Sequence, residues 1–299
     1  MTLFTYFFSQ VHLFFKLYCD RSISKNAVVY VNTLLPFGAA IYGKLTGRKV
    51  IYHIHEISIT PELLKKMLIG IVQNTSSLNI YVSDSHKQAL PVAGVPAKRI
   101  YNSLELAFIC NAAQSKYTHY NTGNFNILMI ASLRDYKGIP ELLLITNSLL
   151  NHENIKIQLV VNDDEVAIEN YFLDKPIPKN LSVFPRTTDT EKFYRRASLV
   201  LNMSRIDQWV ETFGMTILEA MAFGIPVIVP PVGGPAEIVR NGVEGYLISS
   251  YEIDKIVNTV LDMSSNEEQC LEISKHARLR SEEFGKDVFG RNLIEAIYG

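Results

Sequence analysis

The chain reads as an α/β protein built from two doubly wound units, each a parallel sheet with helices packed on its faces. Three observations predict this. Short runs rich in β-branched residues recur along its 299 residues, and such runs mark buried parallel strands. Segments of helical periodicity separate them, and alternation of strand and helix is the pattern of a parallel sheet. Hydrophobic residues make up 47% and charged residues 20%, which supports large cores and argues against disorder. The length accommodates two domains on the usual scale of about 100–200 residues each.

The chain opens with an aromatic-rich helical stretch at residues 3–18. It is too short to span a bilayer and is interrupted by Ser9, Gln10, His12 and Lys16. It lacks a basic start and a small-residue cleavage site, so it is not read as a signal peptide. Two readings stand: a helix packed on a sheet, or a surface that touches membrane lipid. A strand follows at 27–31, a helix at 37–46, a strand at 49–53, a helix at 61–73, and strands at 79–82 and 99–101. Residues 112–123 are polar and aperiodic and read as a linker, which sets the domains at 1–118 and 119–299.

In the second unit strands are expected at 126–131, 156–161, 181–184, 199–202, 226–229 and 245–248. Helical patterns lie between them at 139–150, 165–172, 190–196 and 215–223, and residues 253–297 read as helices. The first unit is expected to be incomplete at its start. A doubly wound nucleotide-binding half opens with a strand and a glycine-bearing turn, whereas no glycine precedes Gly38 here.

The formal net charge of -1 gives no support to a nucleic-acid partner, which calls for a basic excess. The cysteines, Cys19, Cys110 and Cys270, are odd in number and scattered. That pattern fits neither a disulfide framework nor a zinc site, and a reducing, cytoplasmic compartment suits it best.

The stretch that carries chemistry is residues 204–240, SRIDQWVETFGMTILEAMAFGIPVIVPPVGGPAEIVR. A buried strand leads into a polar loop, and Gly214 stands just before an apolar-periodic helix. Gly224 follows that helix as a C-terminal cap, and Pro226 prevents its continuation. A glycine at a helix start lets backbone N–H groups approach an anion closely, and the unpaired N–H groups and helix dipole there favour negative charge. A diphosphate fits such a turn. Glu211 and Glu219 flank it, and carboxylates do not hold phosphates; they accept hydrogen bonds from sugar hydroxyls. Taken singly, Glu211 reads equally as a helix-capping residue and Glu219 as a solvated mid-helix residue.

The combined pattern resembles the retaining glycosyltransferases of family 4, which have the GT-B fold of two Rossmann-like domains facing each other across a cleft. The matching residues are Glu211, Phe213, Gly214, Glu219, Ala220, Met221, Ala222, Gly224, Pro226, Val227, Ile228, Gly233 and Gly234, and the resemblance extends from about residue 28 to the end. It implies that Glu219 binds the ribose and that Glu211 sits beside the transferred sugar. It also implies that backbone N–H groups around Phe213, Gly214, Met215 and Thr216 hold the donor, while Gly233, Gly234 and Glu237 shape the neighbouring turn. A second match lies at residues 131–138. The family places an Arg and a Lys-Gly pair there to neutralise the leaving diphosphate. Lys137 and Gly138 fit, but Ser132 occupies the Arg position and Arg134 follows two places later, either as a replacement or as a surface residue. A third match is His55-Glu56, at the end of the 49–53 strand. A His here contacts the donor sugar in the family, with Asn32, Thr33, Ser83 and Asn102 expected to line the same region. Trp209 either packs over a ligand or anchors its loop.

The resemblance implies transfer of a sugar, with retention, from a nucleotide-sugar co-substrate to a saccharide or lipid-linked acceptor. The setting would be cell-surface polysaccharide or lipopolysaccharide synthesis, with possible peripheral contact at the inner membrane face. Catalytic roles fall to Glu211, His55 and Lys137, and no metal is expected because no Asp-x-Asp motif occurs. A shortened, non-catalytic nucleotide-sugar-binding partner subunit is the alternative. A dinucleotide-dependent oxidoreductase is disfavoured, since no GxGxxG follows any strand.

Overall fold

The computed structural model describes residues 2–299 and divides into two compact units, Met1–Asn102 with Phe289–Gly299, and Ser103–Val288. Unit 1 contains α1 (Leu3–Cys19), β1 (Val29–Asn32), α2 (Phe37–Leu45), β2 (Val50–Ile54), α3 (Glu62–Thr75), β3 (Leu78–Tyr81), α4 (Asp84–Ala89) and β4 (Ala97–Arg99). Its strands are parallel, in the order β1-β2-β3-β4. Because successive side chains alternate across a sheet, Tyr52, Ile54 and Tyr81 face Leu68 and Val72 of α3 and Ala40 of α2. Ile51, Leu78 and Ile80 point the other way. Ala296 covers them, together with Phe289, Leu293 and Ile297. The last eleven residues, 289–299, thus complete a core begun in the first hundred.

The opening helix packs on α2, and its Tyr6 joins the core cluster that includes Val31 and Tyr52 of the sheet. Tyr6 and Gln10 are its buried residues; the Tyr6 hydroxyl donates to the Leu35 carbonyl (2.6 Å) and the Gly38 N–H donates to Gln10 Oε1 (3.2 Å). Phe4, Phe8, Val11, Phe15 and Tyr18 stay exposed at alternating spacings of four and three, one face of a helix. Among the described residues no helix is long and apolar enough to cross a membrane.

Unit 2 contains α5 (Leu106–Ala113), β5 (Phe125–Ala131), α6 (Ile139–Ser148), β6 (Ile155–Val161), α7 (Glu165–Phe172), β7 (Leu181–Phe184), α8 (Glu191–Tyr194) and β8 (Leu199–Leu201). It continues with α9 (Met215–Ala222), β9 (Val227–Val229), α10 (Pro235–Ile238), β10 (Gly245–Leu247), α11 (Ile253–Ser265) and α12 (Glu267–Glu282), while α13 (Lys286–Tyr298) crosses into unit 1. The six strands are parallel in the order β10-β9-β8-β5-β6-β7. The chain builds outward from β5 to β7, then returns to place β8 on the other side of β5. In open α/β sheets ligands bind beyond the carboxyl ends of the strands at such a reversal. The loops after β5 and β8 meet there.

The sequence reading differs from this picture in several places. Residues 112–123 are not a free linker: Tyr117 and His119 are buried, and the Tyr117 hydroxyl donates to the Ser198 carbonyl (2.9 Å). His119 Nε2 meets the Met263 carbonyl (2.8 Å) and the Tyr120 hydroxyl donates to the Ser264 carbonyl (2.9 Å). Three aromatic rings dispersed among polar residues pin the segment to unit 2. The division between units therefore falls at Asn102/Ser103, upstream of the expected 118/119 boundary. Helices α4, α5 and α10 were not anticipated, and the strand expected at 99–101 lies at Ala97–Arg99.

Candidate functional site

The turn after β5 is set by a glycine. Residues Asp135–Lys137 form a single 3-10 turn, and Gly138 ends it at φ 82° before Pro140 opens the first turn of α6. A Cβ on Gly138 would lie 2.1 Å from the Met203 carbonyl oxygen, far inside van der Waals contact. Only glycine lets this turn press against the loop after β8. The loops are tied further by Arg205, whose N–H donates to the Tyr136 carbonyl (2.9 Å) and whose guanidinium pairs with the buried Glu141 carboxylate (2.9 Å).

That apposition brings Lys137 and Glu211 together. The Lys137 ammonium is ion-paired to Glu211 Oε1, and both side chains are mostly shielded from solvent. The Ser204 hydroxyl donates to the same oxygen (2.9 Å). Behind the ammonium lies the Trp209 ring, its centroid 4.7 Å from Nζ, with the Tyr136 ring stacked on Trp209 at 4.9 Å. Trp209 therefore anchors the loop, one of its two sequence readings.

Glu211 is followed by Phe213 and by Gly214, the N-cap of α9, at φ 111°. Met215 and Thr216 are the first residues of α9, whose leading N–H groups have no acceptor inside the helix. Gly234 packs directly beneath: its N–H donates to the Glu211 carbonyl (2.9 Å), and a Cβ there would lie 2.3 Å from Phe213 Cα. The Gly233-Gly234 pair thus fixes the backbone that carries Glu211. Phe213, grouped with the donor-binding residues by the sequence pattern, has its ring buried against Phe284. Any donor contact it makes is through its backbone.

Glu219 is not on a solvated helix face. The hydroxyl of buried Tyr194 donates to Glu219 Oε2 (2.7 Å). Burial holds the Glu219 carboxyl above its ordinary range, and the Tyr194 hydrogen bond opposes that rise. Burial, and secondarily the Glu219 charge, keep the Tyr194 hydroxyl protonated.

Ser132 and Arg134 stand on the turn after β5. The Ser132 carbonyl accepts the Arg134 N–H (2.8 Å), and the exposed Arg134 guanidinium donates to the neighbouring Leu133 carbonyl (2.8 Å). The structure does not join either to the Lys137–Glu211 pair.

His55 lies in unit 1, at the carboxyl end of β2. Its Nε2 meets Asn32 Oδ1 (2.8 Å). The Glu56 carboxylate accepts the N–H groups of Leu34 (3.2 Å) and His55 (3.3 Å), so it ties the loop after β1 to the loop after β2. Between them Thr33 sits at φ 78°, a costly backbone region for a β-branched residue. Burial lowers the His55 pKa, and Glu56 counteracts this. Neighbouring His53 is buried and pushed down to about 3 by desolvation, with the charges of His55 and His86 adding to the shift. Ser83 caps α4, accepting the His86 N–H (3.0 Å), and Asn102 is the last residue before the unit boundary.

Sequence reasoning missed the residues that hold the predicted ones: Tyr194 for Glu219, Ser204 for Glu211, and Tyr136 for Trp209. None carries a local signal, because each partner is distant along the chain or in a loop of irregular shape.

Comparison with known proteins gives the family and the fold. Residues 112–280 match the model of the family Glycosyl transferases group 1. The chain is 28% identical over 166 residues to an uncharacterized glycosyltransferase of Haemophilus influenzae, covering 54% of this chain and 46% of that protein. The matched stretch is thus under half of that relative's length. It is 22% identical over 267 residues to N-acetyl-alpha-D-glucosaminyl L-malate synthase of Bacillus anthracis, covering 84% of this chain and 68% of the relative. Among solved structures, HepE of Anabaena in complex with UDP superposes with a TM-score of 0.78 at 18% identity, over 96% of this chain and 81% of that one. The fold is that of the GT-B glycosyltransferases, and the chain belongs to the glycosyl transferases group 1 family.

Proposed function

We propose that this protein transfers a sugar, with retention, from a nucleoside diphosphate sugar to a hydroxyl of a saccharide or lipid-linked acceptor. The observation that carries the reading is the meeting of the Lys137 ammonium and the Glu211 carboxylate at the sheet reversal, on the loop leading into α9. The transition state of such a transfer resembles an oxocarbenium ion leaving a diphosphate, and catalysis requires fixed positive charge and N–H donors where the leaving group gathers charge. Lys137 supplies the charge and the start of α9 supplies the donors. Glu211 accepts hydroxyls of the transferred sugar, and Glu219, oriented by Tyr194, accepts those of the ribose. No step is assigned to a metal, so transfer should persist in a chelator. HepE has been solved in complex with UDP and with UDP-glucose, which supports a uridine nucleotide as the first donor to test.

The acceptor is assigned to unit 1, which also supplies His55, held by Asn32, whose neutral imidazole is offered to a hydroxyl of the donor sugar. Contact with an anionic membrane surface is part of the proposal. The acidic residues of 1–102 are Asp20, Glu56, Glu62 and Asp84, against eleven lysines and arginines, and α1 presents an aromatic face. Basic charge together with exposed aromatic side chains is the combination that holds proteins at such surfaces.

The test is direct. Purified protein is screened with nucleotide sugars for saturable binding and for sugar release or transfer, and the anomeric configuration of product is read by proton NMR. Transfer that is lost in Lys137→Ala and weakened in Glu219→Ala supports the reading. Nucleotide binding with neither hydrolysis nor transfer would favour a non-catalytic binding subunit. Normal kinetics in both variants would end the assignment.

A further inference from the structure

We infer that Trp209 is a positioning residue for Lys137, and that its ring keeps the ammonium aimed at the diphosphate position once Glu211 is taken up by the sugar. The inference rests on the transferase reading above. In the free protein three groups hold the ammonium: the Glu211 carboxylate, the Ser204 hydroxyl acting through that carboxylate, and the Trp209 ring. The first two leave when a donor arrives, because Glu211 then turns its oxygens to sugar hydroxyls and Lys137 turns to phosphate. The Trp209 ring needs no such exchange, since a cation lies over the face of an indole while its N–H donors remain available.

The ring is itself fixed. Tyr136 stacks on it at an interplanar angle of 19°, and the Trp209 backbone N–H donates to the Arg205 carbonyl (2.9 Å), which fixes the backbone that carries the ring. Arg205 in turn is locked by Glu141 and by Gln208 Oε1 (3.2 Å). A lysine has four rotatable bonds in its stem, so without a fixed surface beneath it the ammonium samples many positions. The loop from Ser204 to Glu211 therefore does more than connect β8 to α9: it builds a flat wall that confines one cation. Tyr136, directly before Lys137 in sequence, contributes the back of that wall.

Trp209 is the sole tryptophan, so its fluorescence reports this contact without labelling. Emission of the free protein is compared with that of Lys137→Met, and each is then titrated with UDP, GDP and ADP. Removal of the ammonium should shift the emission, and the saturating nucleotide should change it in wild type but not in Lys137→Met. In transfer assays Trp209→Phe, which keeps an aromatic face, should stay near wild type. Trp209→Leu should lose about tenfold in kcat with KM little changed. Identical emission in wild type and Lys137→Met would overturn the inference. So would equal kcat in Trp209→Leu and Trp209→Phe with nucleotide binding intact. Misfolding of Trp209→Leu would show in its thermal transition, and the emission comparison then decides alone. Absence of binding by any nucleotide in wild type would instead overturn the transferase reading, and this assignment with it.

Discussion

Lys137 and Glu211 neutralise each other in the free protein, and Ser204 donates to the same carboxylate oxygen. An arriving diphosphate therefore competes with Glu211 for the ammonium. Lys137→Met should reduce kcat by roughly two orders of magnitude or more, the scale set by removing one fixed donor from a developing anion, with a smaller change in nucleotide affinity. Steady-state kinetics beside calorimetric binding separates the two effects. Glu211→Gln should weaken discrimination among donor sugars more than it weakens binding of the free nucleotide.

The Glu219–Tyr194 bond makes nucleotide affinity depend on acidity. Ribose hydroxyls donate to a carboxylate, and burial holds the Glu219 pKa above its ordinary range. Binding should therefore weaken as pH falls through that raised value. Tyr194 stabilises the ionised form, so Tyr194→Phe should move the midpoint of the affinity loss to higher pH. Nucleotide dissociation constants measured across the acid range in both proteins check the direction, and coincident profiles would refute it.

Gly138 is where turn and loop touch. Gly138→Ala introduces a methyl 2.1 Å from the Met203 carbonyl oxygen at a left-handed backbone position. The expected outcome is a loss of more than about 1 kcal/mol in unfolding free energy, together with a fall in transfer, because Lys137 is displaced with the turn. Urea denaturation gives the first quantity. Gly94, which has φ 74° but open space around it, is the control in which only backbone strain is added.

His53 links unit 1 to acid stability. Its pKa is lowered to about 3 by burial, below the value of about 6.5 it has in an unfolded chain. The folded state therefore binds fewer protons. The stability His53 contributes is complete above about 6.5 and is lost as pH falls from there toward 3. His53→Phe should flatten the decline of unfolding free energy between pH 7 and pH 5, read by urea titration of unit 1 signals.

Much of this was legible in the sequence where local physics is strong. The β-branched runs gave β2, β3, β5 and β6 to within a residue or two, because fully buried strands need continuous apolar side chains. Gly214 and Gly224 bracketed α9 correctly. Where the reading failed, the cause was tertiary. The 112–123 segment is polar on average, yet Tyr117, His119 and Tyr120 fasten it to unit 2, and averages do not show anchors. The apolar face of α13 is plain in its sequence, but nothing local says which of two sheets it will cover. For the site, the glutamates and the lysine stood out through the family resemblance that they carry. Tyr194 and Ser204 were not, since what they do depends on where the fold brings them.

The return of residues 289–299 to unit 1 has a bearing on how the protein is made. Synthesis on the ribosome delivers the four strands of the first sheet before the helix at 286–298, and one face of that sheet stays open until that helix has left the exit tunnel. The later-made unit, contiguous from Ser103 to Val288, has no such wait. Maturation should thus run against the order of translation, and a message cut short before Phe289 would yield one finished sheet and one with Ile51 and Ile80 bare to chaperones and proteases.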